Sequence, residues 1–166
     1  VLGVMLLVFT AIIALVNALL SGVIGSWTGL NELLESATSG RYTEFNLQSI
    51  FGLMLAPLTW LMGVPWADAA AVGQLLGEKT VLNEFYAYVS MEGLMNSGQL
   101  SSEKAQILST YILCGFANFA SIGIQIGGIG ALAPNRRKDL SQLGIRALLA
   151  GTAASLFTAI LVGILY

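Results

Sequence analysis

Residues 66–97 read WADAAAVGQLLGEKTVLNEFYAYVSMEGLMNS, an apolar stretch of about 32 residues interrupted by Asp68, Glu78, Lys79, Glu84 and Glu92. It is long enough to cross a bilayer, yet a charge at membrane depth costs on the order of 2.5–3.5 kcal/mol even on the lenient insertion scale. Two half-length helices, roughly 67–79 and 84–97, joined by a short turn, would bury the stretch as a re-entrant hairpin with its polar tip at depth. Non-helical backbone is tolerated there only where protein or a water-filled cavity covers it.

The rest of the chain supports a membrane setting. It has 166 residues, 56% hydrophobic, with seven basic and nine acidic side chains, one cysteine and no histidine. A soluble domain would carry about 25% charge. The runs Val1–Asn31, Phe45–Ala67, Ala105–Asn135 and Ala147–Tyr166 contain no charge at all. Without histidine there is no His-based triad, zincin site or haem axial ligand, and the lone Cys114 can neither close an internal disulfide nor nucleate a zinc cluster. A net charge of −2 with separated basic groups offers no nucleic-acid footprint. The chain begins at Val1 inside an apolar run with no basic n-region or cleavage pattern, so a piece of a longer protein is expected rather than a signal peptide.

Working outward from the hairpin, the all-α reading has five parts. Residues 1–38 form a long first membrane helix whose uncharged part alone would measure roughly 46 Å, against a hydrocarbon core of roughly 30 Å, so it is expected to tilt or bend. Residues 45–63 are apolar but interrupted by Pro57, with Trp60 and Trp66 at headgroup level, and read as an interfacial helix. Residues 66–98 are the hairpin. Residues 101–134 start at Ser101-Ser102-Glu103 and carry a polar, glycine-rich middle, which predicts a membrane helix broken near its centre. Residues 139–166 form the final span. The basic cluster Arg136-Arg137-Lys138 before it belongs in the cytoplasm by the positive-inside rule, which puts Tyr166 outside and makes the hairpin enter from the outer face.

Glu84 is the first candidate for chemistry, because an intramembrane carboxylate must face a partner or a pathway. It either serves a substrate or ion path or pairs internally with Lys79. Asn83 beside it suits a helix break or a plain N-cap. Asn118 and Ser121 share a face at i, i+3, whereas Phe116 and Asn118 lie about 200° apart on a continuous helix. The three can meet one ligand only if the helix unwinds between them; otherwise Asn118 and Ser121 are packing residues. Gly123 and Gly127 read as close packing, since no strand precedes them to make a phosphate loop. No metal-ligand set is present.

Gly77 to Tyr88, read residue by residue, resembles the signature of the concentrative nucleoside transporters. That signature is glycine or alanine, any residue, lysine, three residues, then Asn-Glu-Phe-Val-Ala and an aromatic or Met; here Tyr86 replaces the usual valine. Gly115-Phe116-Ala117-Asn118-Phe119-Ala120-Ser121-Ile122-Gly123 is similar to the family's substrate-binding broken helix. The resemblance covers essentially the whole chain but only the C-terminal half of an inverted-repeat fold.

The resemblance implies a homotrimeric elevator symporter of the cell's inner membrane, importing nucleosides on a sodium or, alternatively, a proton gradient. It implies that Glu84, Asn118 and Ser121 bind ribose and that Phe116 packs on the nucleoside, with Asn83 and Lys79 in support. It also implies that the coupling ion and base recognition reside in the missing N-terminal part, that lipid surrounds the chain, and that it is no enzyme. A channel or a symporter for another small polar solute is the competing reading. An intramembrane enzyme with Glu84 and Asp68 as paired carboxylates lacks an activated nucleophile.

Overall fold

The computed structural model describes residues 2–38 and 40–166, and every regular element among them is helical. The opening run starts with α1 (Leu2–Ala18), passes through a π-helical stretch (Leu19–Gly25) and ends in the single turn α2 (Ser26–Thr28). Gly29 then adopts φ 71°, a left-handed conformation that glycine takes without a Cβ clash and that ends helices. The amphipathic helix α3 (Leu30–Ala37) folds back, and Asn31 Nδ2 donates to the Ser21 carbonyl at 3.1 Å. A side chain at Gly25 would collide with the Asn31 amide. The bend expected in the long first helix therefore lies at Gly29, and Asn31 ties α3 back to the Ser21 carbonyl, which also accepts from the Ser26 amide.

The linker from Thr38 returns to the bundle through polar contacts. Tyr42, buried, donates its hydroxyl to the Ala70 carbonyl at 3.1 Å. Asn17 of α1 accepts from the Leu47 amide at 3.0 Å and donates to Gln48 Oε1 at 2.9 Å, fixing the start of α4 (Leu47–Leu61). Asn46 caps α4 in a reciprocal box with Ser49. Pro57 sits inside α4 without ending it.

After a turn at Gly63 the chain direction changes by 119° into α5 (Trp66–Val81). The α4 and α5 backbones touch through small residues: a Cβ on Gly73 would lie 2.9 Å from the Gly52 carbonyl, and Thr59 Oγ1 donates to the Ala69 carbonyl at 2.8 Å. Here a stripe of Gly, Ala and Thr does what it does between membrane helices, letting backbones approach. The segment read as interfacial is thus packed along the first arm of the hairpin.

The hairpin closes at Leu82-Asn83, and its second arm is α6 (Glu84–Asn96). Leu75, Leu76, Ala87, Met91 and Leu94 of the two arms form one apolar core with Leu100, Leu108 and Ile112. The next span is broken as expected, into α7 (Glu103–Leu113) and α8 (Phe119–Leu132). With 11 and 14 residues, neither half crosses a bilayer alone. A turn at Pro134–Arg136 leads to α9 (Arg137–Leu165), whose 29 residues do. Gly144 meets Ile122, Gly151 meets Ala117 and Gly163 meets Leu108, so one small-residue face of α9 holds both halves of the broken helix. Its opposite face exposes Leu149, Phe157, Leu161 and Ile164, as a lipid-facing surface does.

Candidate functional site

Two helix breaks meet in space, and each is made by an asparagine N-cap. Asn83 is extended, with φ −168° and ψ 170°, and its side chain accepts from the Tyr86 amide at 2.9 Å, starting α6. Asn118 is likewise extended, and its Oδ1 accepts from the Ser121 amide at 2.7 Å, starting α8. The Ser121 hydroxyl completes the second cap, donating to the Asn118 carbonyl at 2.7 Å and accepting from its amide at 3.3 Å. Capping consumes only the oxygen of each amide, which leaves the Asn118 NH2 group free to point outward.

That NH2 group reaches the hairpin. Asn118 Nδ2 donates to Glu84 Oε2 at 3.1 Å, joining residues 34 apart in sequence. Glu84 is the first residue of α6, where the helix dipole favours a carboxylate. Asn118 is 1% exposed and Ser121 6%, so the pair lies at the floor of the site, with Glu84 half-buried above it. Phe116, two residues before Asn118 in the unwound segment, is 57% exposed. It lines a cleft of about 300 Å³ between α8 and α9 together with Ser121, Gln125 and Leu148. The helix has unwound between Phe116 and Asn118, which is the condition for both to face one ligand.

Lys79 is held elsewhere. Fully buried, it donates to the Ile112 carbonyl at 2.8 Å and to Ser155 Oγ at 3.1 Å. The internal Lys79–Glu84 ion pair does not form; the only ion pair among the described residues joins Arg136 and Asp139. The last turn of α7 needs Lys79 more, because a helix ending at membrane depth leaves carbonyls without partners. Tyr88 Oη adds a bond to the Thr110 carbonyl, at 2.9 Å, beside the one that carbonyl accepts from the Cys114 amide. Gly115 is obligatory beside them: a Cβ there would lie 2.9 Å from Ser155 and 3.3 Å from Lys79 Nζ. Ser155 and Tyr88 were not singled out in the sequence, and a buried lysine in search of acceptors is the signal that points to Ser155.

Asp68 is remote from this arrangement. It lies at the opposite end of α5, a helix of 16 residues or about 24 Å, and accepts from the Ser101 and Ser102 amides at 3.2 and 3.1 Å. It anchors the residues that lead into α7, whose N-cap is Ser102, rather than pairing with Glu84.

A carboxylate, an amide donor and an aromatic face at two broken helices are what a small polyhydroxylated ligand with a planar part requires. Residues 1–163 match the profile of the family described as Na+ dependent nucleoside transporter C-terminus. The chain belongs to this family. An uncharacterized transporter of Haemophilus influenzae is 44% identical over 165 residues, covering 98% of this chain and 36% of the relative. Sodium/nucleoside cotransporter 1 of Rattus norvegicus is 42% identical over 173 residues, covering 97% of this chain and 25% of that protein. The structure of CNTnw in an inward-facing, substrate-bound state superposes with a TM-score of 0.83 at 38% identity, covering 98% of this chain and 36% of that one. A CNTnw variant in an outward-facing state gives 0.82 at 36% identity, with the same coverage. The chain therefore spans between a quarter and about a third of the length of these relatives. The family is one of transporters, and the described residues of this chain are helical in every regular element, with helices long and apolar enough to cross a membrane.

Proposed function

We propose that this chain is the C-terminal part of an ion-coupled symporter that imports nucleosides, and that it supplies the ribose-binding half of the site. The observation that carries this reading is the 3.1 Å hydrogen bond from Asn118 to Glu84 at the meeting of two helix breaks. Glu84 keeps one carboxylate oxygen for the ligand, and vicinal ribose hydroxyls donate to a carboxylate through charge-assisted hydrogen bonds. Phe116 offers its exposed ring to the nucleoside. Ser121 spends its hydroxyl proton inside the capping box, so its role is to hold Asn118 and to accept, not to donate.

Asn83 and Lys79 support the site by ordering the hairpin tip and the end of α7. The coupling ion is sodium, with a proton as the alternative, bound in the N-terminal part of the same transporter. That part completes the base site, and the transporter works as a homotrimer in the cell's inner membrane by an elevator motion. The Arg136–Lys138 turn faces the cytoplasm and Tyr166 the outside.

The test is radiolabelled uridine uptake into vesicles by the full-length transporter, with Glu84 native and as Glu84→Gln, with and without a sodium gradient. Loss of one charged acceptor lowers uptake at subsaturating uridine by about 10- to 100-fold. Nucleosides lacking the 2′- or 3′-hydroxyl compete correspondingly less well, because they leave buried polar groups unpaired. Undiminished uptake by Glu84→Gln, or equal competition by deoxynucleosides, removes Glu84 from the ribose site. Saturable uptake with counterflow excludes a channel.

A further inference from the structure

Glu78 has no role in the site just described, and its surroundings are unlike those of the other buried acids. It is 4% exposed. Its Oε1 accepts from Gln74 Nε2 at 3.0 Å, while its Oε2 is buried with no hydrogen-bond partner. Asp68, equally buried, accepts from two backbone amides. Glu84 is half-buried and accepts from Asn118.

No cation neutralises Glu78. Lys79 is turned to the Ile112 carbonyl and Ser155 on the far face of α5. From α6, Tyr86 and Ser90 face the carboxylate. From the linker, Tyr42 lies within electrostatic reach, and its phenol, which burial pushes up to about 12 against the pull of Arg41, stays neutral at working pH. Arg41 itself donates to the Ala67 carbonyl. Glu44 lines the neighbouring cleft, and α4 carries no titratable side chain. An ionised carboxyl with a bare oxygen in such a place is far costlier than the neutral acid.

Water comes close. Gln74, which donates to Glu78 Oε1, also lines a polar cleft of about 340 Å³ with Arg41, Tyr42, Asn46, Gln48 and Gln99. The cleft is on the α4 side of the hairpin, away from the Asn118–Glu84 contact.

We propose that Glu78 is a proton-binding site, loaded from this cleft, whose occupancy governs how the hairpin packs on α4. Hydronium in the cleft gives up one proton, an O–H bond forms at Oε2, and water is released. With the proton bound, the carboxyl is neutral and α5 lies closed on α4 and α6. With it gone, a bare charge is left among Gln74, Ser90 and Tyr86, and the closed packing is penalised. The smallest cation suits the place because one carboxyl among neutral amides and hydroxyls offers a proton a seat but offers an alkali ion no cage.

The activity arm of the test rests on the nucleoside-transport reading; the spectroscopic arm does not. Full-length transporter in vesicles, at equal pH on both sides and constant sodium, is assayed for uridine counterflow as native protein and as Glu78→Gln, which is isosteric with the neutral acid. Native counterflow falls as pH rises, by at most about tenfold per unit, the limit for one titrating group. Glu78→Gln stays at the low-pH plateau. An unchanged pH profile in Glu78→Gln overturns the proposal, as does a native midpoint that moves with sodium while Glu78→Gln ignores it.

Infrared pH-difference spectra of the purified native protein, without nucleoside, contain a protonated-carboxyl band that Glu78→Gln loses; identical spectra overturn the proposal even if transport fails altogether. Should Glu78→Gln not fold, Gln74→Met removes a donor that favours the charged form and moves the midpoint up by about one pH unit. An unmoved midpoint counts equally against the proton site.

Discussion

Lys79 shows how far a single residue can be read before the fold is known. Five positions from Glu84, it invites an internal ion pair, yet its partners are the Ile112 carbonyl and Ser155, 33 and 76 positions away. A lysine among apolar residues announces that acceptors exist; only the fold names them. A local cap is different. Asn83 is legible as a helix start because an N-cap bonds its own helix within three residues, whereas Asn118, read as a binding or packing residue, is revealed as a cap only by the fold. The contact of Asn118 with Glu84 is not legible either, since it needs two breaks at one depth. Lys79→Met in the full-length protein takes the lysine donor from the Ile112 carbonyl in the interior, while Ser155 keeps its bonds to the Gly151 and Thr152 carbonyls, at a cost of about 1–3 kcal/mol. The expected result is a lowered melting temperature together with weaker uridine binding, because the end of α7 loosens beside the site. Glu84→Gln weakens binding while leaving the melting temperature near native. Equal melting temperatures for native protein and Lys79→Met would place the Ile112 carbonyl in contact with water instead.

Among elements, the hairpin and the broken helix are legible from the sequence because charge at depth and a polar, glycine-rich middle each require an interruption. The fold-back of α3 is not, since its apolar periodicity continues the first helix and only Gly29 and the distant Asn31–Ser21 contact reverse it. Nor does composition tell that α4 lies on α5: an apolar helix flanked by tryptophans suits a membrane surface, and the Gly52–Gly73 approach appears only in three dimensions. Asp68 belongs to this scale because it couples two elements, the start of the hairpin and the start of α7. Its carboxylate accepts from the Ser101 and Ser102 amides, and the Ser101 hydroxyl also donates to it, at 3.4 Å. Asp68→Ala exposes those donors to an unpaired interior and is expected to destabilise the protein by about 1–3 kcal/mol, read from its melting temperature. Asp68→Asn keeps one acceptor oxygen and recovers part of the loss. A fully native melting temperature for Asp68→Ala would mean that α7 starts without this anchor.

For the whole molecule, the question is where an elevator could divide. Only 6% of the Ala11–Thr28 stretch is buried, whereas α4 to α9 share close-packed interfaces through the hairpin core and the small-residue face of α9. The polar joint between these parts is Asn17, bonded to the Leu47 amide and Gln48 at the start of α4. Because α4 is interlocked with α5 at Gly52 and Gly73, a body containing the hairpin carries α4 with it, and on the elevator reading proposed above the Asn17 joint is the one that parts. Cysteines introduced as Asn17→Cys and Leu47→Cys, with the exposed Cys114 replaced by alanine, can be joined by a short thiol-specific cross-linker. Joining them is expected to stop uridine counterflow while equilibrium binding of uridine persists, since neither position touches Glu84, Asn118 or Phe116. Leaving out the cross-linker restores transport in the same variant, which separates the link from the substitutions. Counterflow that continues with the link complete would mean that α1 and α4 travel together and that the sliding surface is the α4–α5 interface. The Gly52–Gly73 approach would then be the bearing of the motion, and Gly73→Leu, rather than the Asn17 cross-link, would be the change that arrests it.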